Sequence, residues 1–316
     1  MTEVPPTSVG PDGIESVCGG FGGSMTIDIA PGAVMPIALV FGLLVGSFLN
    51  VVIHRLPLGI SVALPPSHCP ACETQIKPWD NIPLLSYLWL RGHCRSCGSS
   101  ISLRYPAVEL VTGLLFLAVA WRFGPTWWTL IHCLFVAALI TAAMIDYDHQ
   151  IIPDSISLGG LALALLLVPA ANAWYGTPYT QALIRSTMGA MVGAGVLWLV
   201  AFIHARISVA LGRQFDHWPG EGESLPRPTE ADYWLWFPGL GLGDVKLLGM
   251  IGAVVGAIGV LDTILASSVI GLAFGGAQAL ARGALGEPFG FGPAIALGAI
   301  ASLFLPELWF LRLYSI

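Results

Sequence analysis

Apolar residues in this chain fall in long runs near 33–53, 106–122, 126–145, 155–171, 182–204, 245–261, 263–281 and 293–311. A helix rises about 1.5 Å per residue and a bilayer core is about 30 Å thick, so roughly 17–25 mostly apolar residues cross it. The runs show no alternation of polar and apolar positions, which a membrane barrel would need, and an open strand would leave backbone groups unpaired in lipid. The pattern therefore predicts an all-α fold, a polytopic membrane bundle of about eight transmembrane helices. Three stretches interrupt it: a Gly/Pro-rich tail at 1–32, a polar loop at 54–105 and a second at 206–240.

Composition agrees, with 55% of the 316 residues hydrophobic and 10% charged, and a mean hydropathy of +0.78. No ordinary water-soluble domain has these proportions. The net charge of −6, with no basic patch interleaved with aromatics, argues against a nucleic-acid partner and leaves membrane lipid as the surrounding phase. The 1–32 tail carries Glu3, Asp12, Glu15 and Asp28 without Lys or Arg and reads as disordered, and Met25 opens a stretch that would itself make a sensible shorter protein. The loop after the first run carries Arg55, Lys77, Arg91, Arg95 and Arg104. The positive-inside rule then puts the N-terminus outside and this loop in the cytoplasm. Threading eight helices from there places Arg206, Arg213, Arg227, Lys246 and Arg282 inside too, and Arg122, Arg185 and Arg312 outside. The 206–240 loop, rich in Pro and Glu, reads as a flexible connector, and no internal repeat is read along the chain.

Four cysteines share the first loop, as Cys69-Pro-Ala-Cys72 and Cys94-Arg-Ser-Cys97. Two such pairs can surround Zn²⁺ with four thiolates, each pair supplying two sulfurs from a tight turn. A reducing cytoplasm disfavours disulfides there, and free or redox-active thiols are the alternative. His68 and His93 adjoin the pairs and read as loop residues outside a shell that four sulfurs already close. Cys133, inside a run, reads as a small buried side chain, and Cys18 falls in the tail.

The third run ends in Asp146-Tyr-Asp148-His-Gln-Ile-Ile-Pro-Asp154, just before the fourth. Ionisable groups at membrane spans are costly and are functional candidates by default. Asp154 precedes Ser-Ile-Ser and reads as a helix N-cap, and Asp148 as a solvated loop residue. Asp146 lies closest to the apolar run. The other boundary carboxylate is Asp244, in Gly241-Leu-Gly-Asp-Val-Lys246 at the start of the sixth run. It is either a cap or a group whose flanking glycines permit close backbone approach. Both aspartates fall at one depth on one side. Two carboxylates held together ionise in sequence rather than at once, which supplies the base and the acid of an aspartyl protease.

The chain resembles the prepilin peptidase family, the type IV leader peptidases, over about residues 41–298. The resemblance rests on Gly46-Ser-Phe-Leu-Asn-Val-Val-Ile-His-Arg-Leu-Pro57, the paired cysteine motifs, Lys77-Pro-Trp-Asp-Asn-Ile-Pro83 and Arg104-Tyr-Pro-Ala-Val-Glu109. It continues through Ile145-Asp146-Tyr-Asp-His-Gln-Ile-Ile-Pro-Asp154, Gly241-Leu-Gly-Asp-Val-Lys-Leu-Leu248 and Phe291-Gly-Pro293. It implies a bacterial inner-membrane aspartic endopeptidase whose catalytic pair is Asp146 and Asp244; the residues alone do not separate Asp146 from Asp148. It also implies prepilin and pseudopilin substrates of type IV pili or type II secretion. Cleavage would fall at the cytoplasmic face, typically after Gly, with N-methylation of the new terminus from S-adenosylmethionine. No glycine-rich methyltransferase fingerprint is present, so no donor-binding residue is assigned. Relative to shorter members, 214–238 reads as an insertion, and Trp236-Phe-Pro departs from the pattern before the GxGD motif. Two readings from other classes stand beside this one: a transporter with boundary carboxylates as an ion relay, and a non-enzymatic assembly scaffold docking through the four-cysteine loop.

Overall fold

The structure, a computed structural model, describes residues 31–212, 226–235, 237, 241–282 and 290–305. The tail at 1–30 with Cys18 and Met25, the stretch 213–225, Trp236 and Pro238, and the end of the last run with Arg312 lie outside the described residues. Among the described residues no strand forms, only two isolated bridges in the cysteine loop. The long helices are α1 (Pro31–Arg55), α3 (Arg104–Phe123), α4 (Trp127–His149), α5 (Asp154–Trp174), α6 (Tyr179–Ala210), α8 (Leu242–Arg282) and α9 (Gly292–Phe304). Two short helices, α2 (Leu85–Trp89) and α7 (Ala231–Leu235), lie in the polar stretches. Six of the described helices are long and apolar enough to cross a membrane.

Helix α8 is two helical arms joined across a kink. At Gly256 the backbone takes φ 76°, ψ 175°, a region almost closed to residues with a side chain. Val260 packs directly on Gly252. Residues eight apart in a straight helix are separated by about 12 Å, so this contact requires the chain to fold back. The returning arm then runs antiparallel to α9, with Gly271 against Phe291 and Ala294, and Gly298 against Ser267. With α8 counted as two arms, the described residues form eight long helical segments. The sequence puts the break between 261 and 263; the structure puts it at Gly256 and buries Asp262 inside the bundle.

The core is Leu139, Val136 and Ile145 of α4 against Leu247, Leu248, Met250 and Ile251 of α8 and Ile295 of α9. α6 and α8 form the most extensive helix pair, because Gly189 meets Gly252 backbone to backbone. Small residues at such a crossing let helices approach where lipid gives no hydrophobic reward for association. At the bundle end away from the cysteine loop, Trp121, Trp127, Trp174, Tyr175 and Tyr179 are exposed. Such a belt of amphipathic rings suits a membrane interface.

The described parts of the second polar stretch, 206–212 and 226–235, carry helix and packing where the composition reads as a connector. α6 continues to Ala210, and α7 packs back on it. Trp198 stacks on Phe202 at 5.2 Å, its indole N–H donates to the Trp234 carbonyl at 2.8 Å, and Arg206 lies 3.7 Å over the Tyr233 ring. Phe237 is buried beneath Trp198 and Phe202.

Candidate active site and metal centre

Asp146 sits in the last turn of α4 and is only 5% exposed. The helix ends there because Gln150 takes a left-handed conformation (φ 54°) and donates its N–H to the Asp146 carbonyl at 2.9 Å. The carboxylate is fixed from another direction by the start of α9, where the Gly292 N–H donates to Asp146 Oδ2 at 2.9 Å. That approach needs glycine: a Cβ on Gly292 would stand 2.7 Å from Oδ2, and one on Gly290 would overlap the same oxygen. The Gly-Phe-Gly-Pro run at 290–293 is thus a third part of the site, given no role in the sequence reading. Its signal was a pair of glycines at the start of a helix with proline in its first turn. Gly292→Ala is expected to lower leader cleavage by roughly 10–100-fold, because small misplacements of a reacting group carry penalties of that order. Cleavage assays at matched protein levels check this.

Asp244 lies in the first turn of α8, donating its N–H to the Gly241 carbonyl at 3.1 Å, so it is a helical residue and not the cap. Gly243 packs on Ile152, with its absent Cβ position 3.5 Å from the Ile152 nitrogen. This seats the start of α8 on the turn that follows Asp146. The two carboxylates are close enough for their charges to interact. Elements distant in sequence, the ends of α4, α8 and α9, converge on this point.

Neighbouring acids take other roles. Asp148 is not a free loop residue: it closes the last turn of α4 and forms a fork with Arg104 at 2.5 and 2.8 Å. That fork fastens the start of α3 to the end of α4. Asp154 is not an N-cap, because Pro153 occupies that position and the Asp154 side chain accepts from Lys246 Nζ at 2.6 Å. The pair is exposed, and such pairs contribute about 0–1 kcal/mol. Asp154→Asn is accordingly expected to retain cleavage within about twofold of wild type; a rate assay on the purified variant checks it.

In the 54–105 loop the four sulfurs of Cys69, Cys72, Cys94 and Cys97 lie within 4.8 Å of one another. Tetrahedral zinc with Zn–S of about 2.3 Å requires sulfurs about 3.8 Å apart; Cys69 and Cys97 Sγ stand at 3.9 Å. The set fits zinc. The segments are two copies of one hairpin: Cys69 N–H donates to Thr74 and Cys94 N–H to Ser99, while Glu73 and Gly98 turn back at positive φ onto the first cysteine carbonyl of each copy. The repeat His-Cys-x-x-Cys-x-x-x-Ile at 68–76 and 93–101, passed over in the sequence reading, encodes this. The Ser99 hydroxyl lies 3.6 Å from Cys69 Sγ and 3.2 Å from Cys97 Sγ. Ser99 foremost holds both thiols down, Cys69 at about 6, so the thiolate, the ligating form, is favoured. His68 and His93 bond to the Pro66 and Arg91 carbonyls and stand outside the sulfur cluster. Cys133 is buried in α4.

The loop also roofs a cleft of about 280 Å³ against the end of α1, lined by Ser47, Phe48, Arg55, Pro66 and Asn81. Arg55 is 9% exposed and donates to the Ser61 carbonyl at 3.0 Å. Glu109 of α3 accepts the Leu84 N–H at 2.8 Å. Leu84 itself is held at φ 59°.

Residues 133–276 match the type IV leader peptidase family, and residues 40–123 match the bacterial peptidase A24 N-terminal domain. The chain is 39% identical over 261 residues to a prepilin leader peptidase/N-methyltransferase of Stutzerimonas stutzeri, covering 75% of this chain and 78% of that protein. It is 36% identical over 279 residues to the Neisseria gonorrhoeae protein of the same name, covering 81% and 85%. This chain belongs to the type IV leader peptidase family. The Pseudomonas aeruginosa protein of that name is 37% identical over 260 residues, covering 75% and 78%. No solved structure matches the sequence significantly. Both halves of the family pattern fall on the parts described above: the N-terminal match spans α1, the cysteine loop and α3, and the C-terminal match runs from α4 into the returning arm of α8.

Proposed function

We propose that this protein is a prepilin leader peptidase and N-methyltransferase of the bacterial inner membrane, with Asp146 and Asp244 as its hydrolytic pair. The observation that carries the peptidase reading is the pairing of a buried membrane carboxylate, held by the Gly292 N–H, with a second one at the start of α8. In the hydrolysis one aspartate takes a proton from water as its oxygen attacks the scissile carbonyl. The other protonates the leaving nitrogen, and the C–N bond breaks to give a carboxyl end on the leader and a free α-amine on the mature chain. The Gly292 N–H fixes the orientation of Asp146 throughout.

The loop with its basic residues faces the cytoplasm in this reading, and the N-terminus lies outside. A substrate made of a basic leader and an apolar helix enters sideways from the bilayer. Its leader stays at the inner surface, and its scissile bond waits at the depth of the two aspartates. The bond must be unwound, since a helical carbonyl is occupied by its own hydrogen bond. Zinc, held by Cys69, Cys72, Cys94 and Cys97, supplies structural stability to the loop. The methyl group comes from S-adenosylmethionine, in line with the relatives' N-methyltransferase names. Incubating the purified protein with a prepilin and S-adenosylmethionine tests both activities. Mass spectrometry should find the mature chain lacking its leader and carrying one added methyl group. An intact prepilin would contradict the peptidase, and an unmethylated product the transferase.

A further inference from the structure

The polar loop at 54–105 turns an apolar face outward. In α2 the residues Leu85, Leu88 and Trp89 are 64%, 71% and 82% exposed. With 3.6 residues per turn the three positions share a sector of about 100°, and Tyr87 lies on the opposite side of the helix. Tyr87 is the residue that faces the protein: a Cβ on Gly92 would meet its ring, and its hydroxyl donates to the Ile101 carbonyl at 3.4 Å. The second cysteine hairpin therefore holds the back of α2 and leaves the front bare. The 3₁₀ turn Pro78–Asn81 contacts α2, and Trp79 within it and Ile82 after it are exposed as well. A surface bathed only in water rarely carries so many large apolar side chains together.

Depth and charge identify what covers this face. α3 has 20 residues, about 30 Å, which is the thickness of a bilayer core, so Arg104 and Phe123 stand near its two boundaries. Glu109 lies five residues, about 7.5 Å, beyond Arg104 along the axis, and helical side chains tilt back toward the N-terminus. Its carboxylate accepts the Leu84 N–H at 2.8 Å. α2 therefore starts beside the first turns of a spanning helix, at the level of the lipid headgroups. The stretch is basic at both ends. Lys77 and Arg91 are exposed, and among the described residues neither forms an ion pair. Asp80, the one acid between them, is taken by Arg95. An apolar face with tryptophans, flanked by cations and held at interface depth, complements an anionic lipid surface.

We propose that residues 77–91 dock on the bilayer, with Leu85, Leu88 and Trp89 at the boundary of headgroups and acyl chains and Lys77 and Arg91 on anionic headgroups. The docking holds the cysteine loop against the membrane at the end of the bundle where Arg104 is forked to Asp148, two residues beyond Asp146. It requires that the helices span a bilayer and does not depend on the peptidase or methyltransferase reading.

The test uses the full-length zinc-loaded protein in phosphatidylcholine nanodiscs, with and without phosphatidylglycerol. The probe is a phosphatidylcholine carrying a diazirine near the glycerol end of one acyl chain. After photolysis, mass spectrometry of wild type should find adducts on Trp79, Leu85, Leu88 or Trp89, with the spanning helices labelled as the internal reference. The double variant Leu88→Gln, Trp89→Gln should lose about fivefold or more of the adducts on 77–91, with zinc content and labelling of α1 unchanged. Phosphatidylglycerol should raise labelling of 77–91 in wild type, and Lys77→Gln with Arg91→Gln should abolish that increase. Labelled spanning helices with no adduct on 77–91 in wild type would overturn the docking, whether or not the variants fold. Undiminished adducts in the folded Leu88→Gln, Trp89→Gln variant would overturn it too. A photo-crosslinker at Leu88 that joins to a prepilin, to residues 213–225 or to a second copy of the chain in place of lipid would make the face a protein-docking surface, which also overturns it.

Discussion

Asp146→Asn and Asp244→Asn should each reduce leader cleavage by at least roughly 10²–10⁴-fold, the range supplied by a positioned acid or base. The amide keeps the shape of the carboxylate, and after Asp146→Asn the Gly292 N–H still finds an oxygen acceptor in the side-chain carbonyl. Both variants should therefore insert and accumulate like wild type. What each loses is the ability to hold or release a proton at the reacting atoms. Because the proposed mechanism uses the two groups as one unit, the double variant should be little worse than either single one. Asp148→Asn is the informative contrast: it weakens the fork to Arg104 and so loosens α3 against α4, which should reduce stability more than chemistry. Cleavage rates on purified protein, with expression and thermal unfolding measured alongside, separate these outcomes.

The second large effect is expected at the cysteine loop. Wild type should carry one zinc per chain, and Cys72→Ser or Cys94→Ser should leave less than about a quarter of it. Apparent zinc binding free energies in small four-ligand sites run to about 10–16 kcal/mol, and in so small a loop most of that is folding energy. The hairpins have few other supports, chiefly the Asp80–Arg95 fork at 2.6–3.0 Å and the Glu109 bond to Leu84. Residues 54–105 should accordingly become protease-sensitive in these variants. The roof of the Arg55 cleft, which includes Pro66 and Asn81, should loosen with them. Elemental analysis of unchelated protein, followed by limited proteolysis, checks both parts.

The membrane helices were legible because burial in lipid demands unbroken apolar length, which a single sequence displays directly. The run at 106–122 became Arg104–Phe123 and that at 155–171 became Asp154–Trp174. Asp146 and Asp244 stood out for the converse reason, as charges where charge is expensive. What the pattern concealed was geometry that hydropathy does not encode. The reversal of α8 depends on a positive φ at Gly256, and the surrounding residues are as apolar as any straight span. Asp262, which falls in the gap between the runs 245–261 and 263–281, is buried in the protein interior. Gly290 and Gly292 carry no chemistry of their own, and only the fold shows that a side chain there would meet Asp146. Arg55 counted merely as a positive charge at a helix end, because sequence cannot distinguish a solvated guanidinium from one enclosed by a returning loop.

The central claim is that a substrate's scissile bond meets Asp146 and Asp244 at the loop end of the bundle. Photo-crosslinking amino acids at Tyr147 and Leu242, each beside one aspartate, test it against a prepilin whose slow-cleaving variant keeps the junction intact. Mass spectrometry of the adducts should find both positions joined to residues flanking the cleavage junction. Adducts found only toward the far end of the substrate's apolar helix would contradict the account.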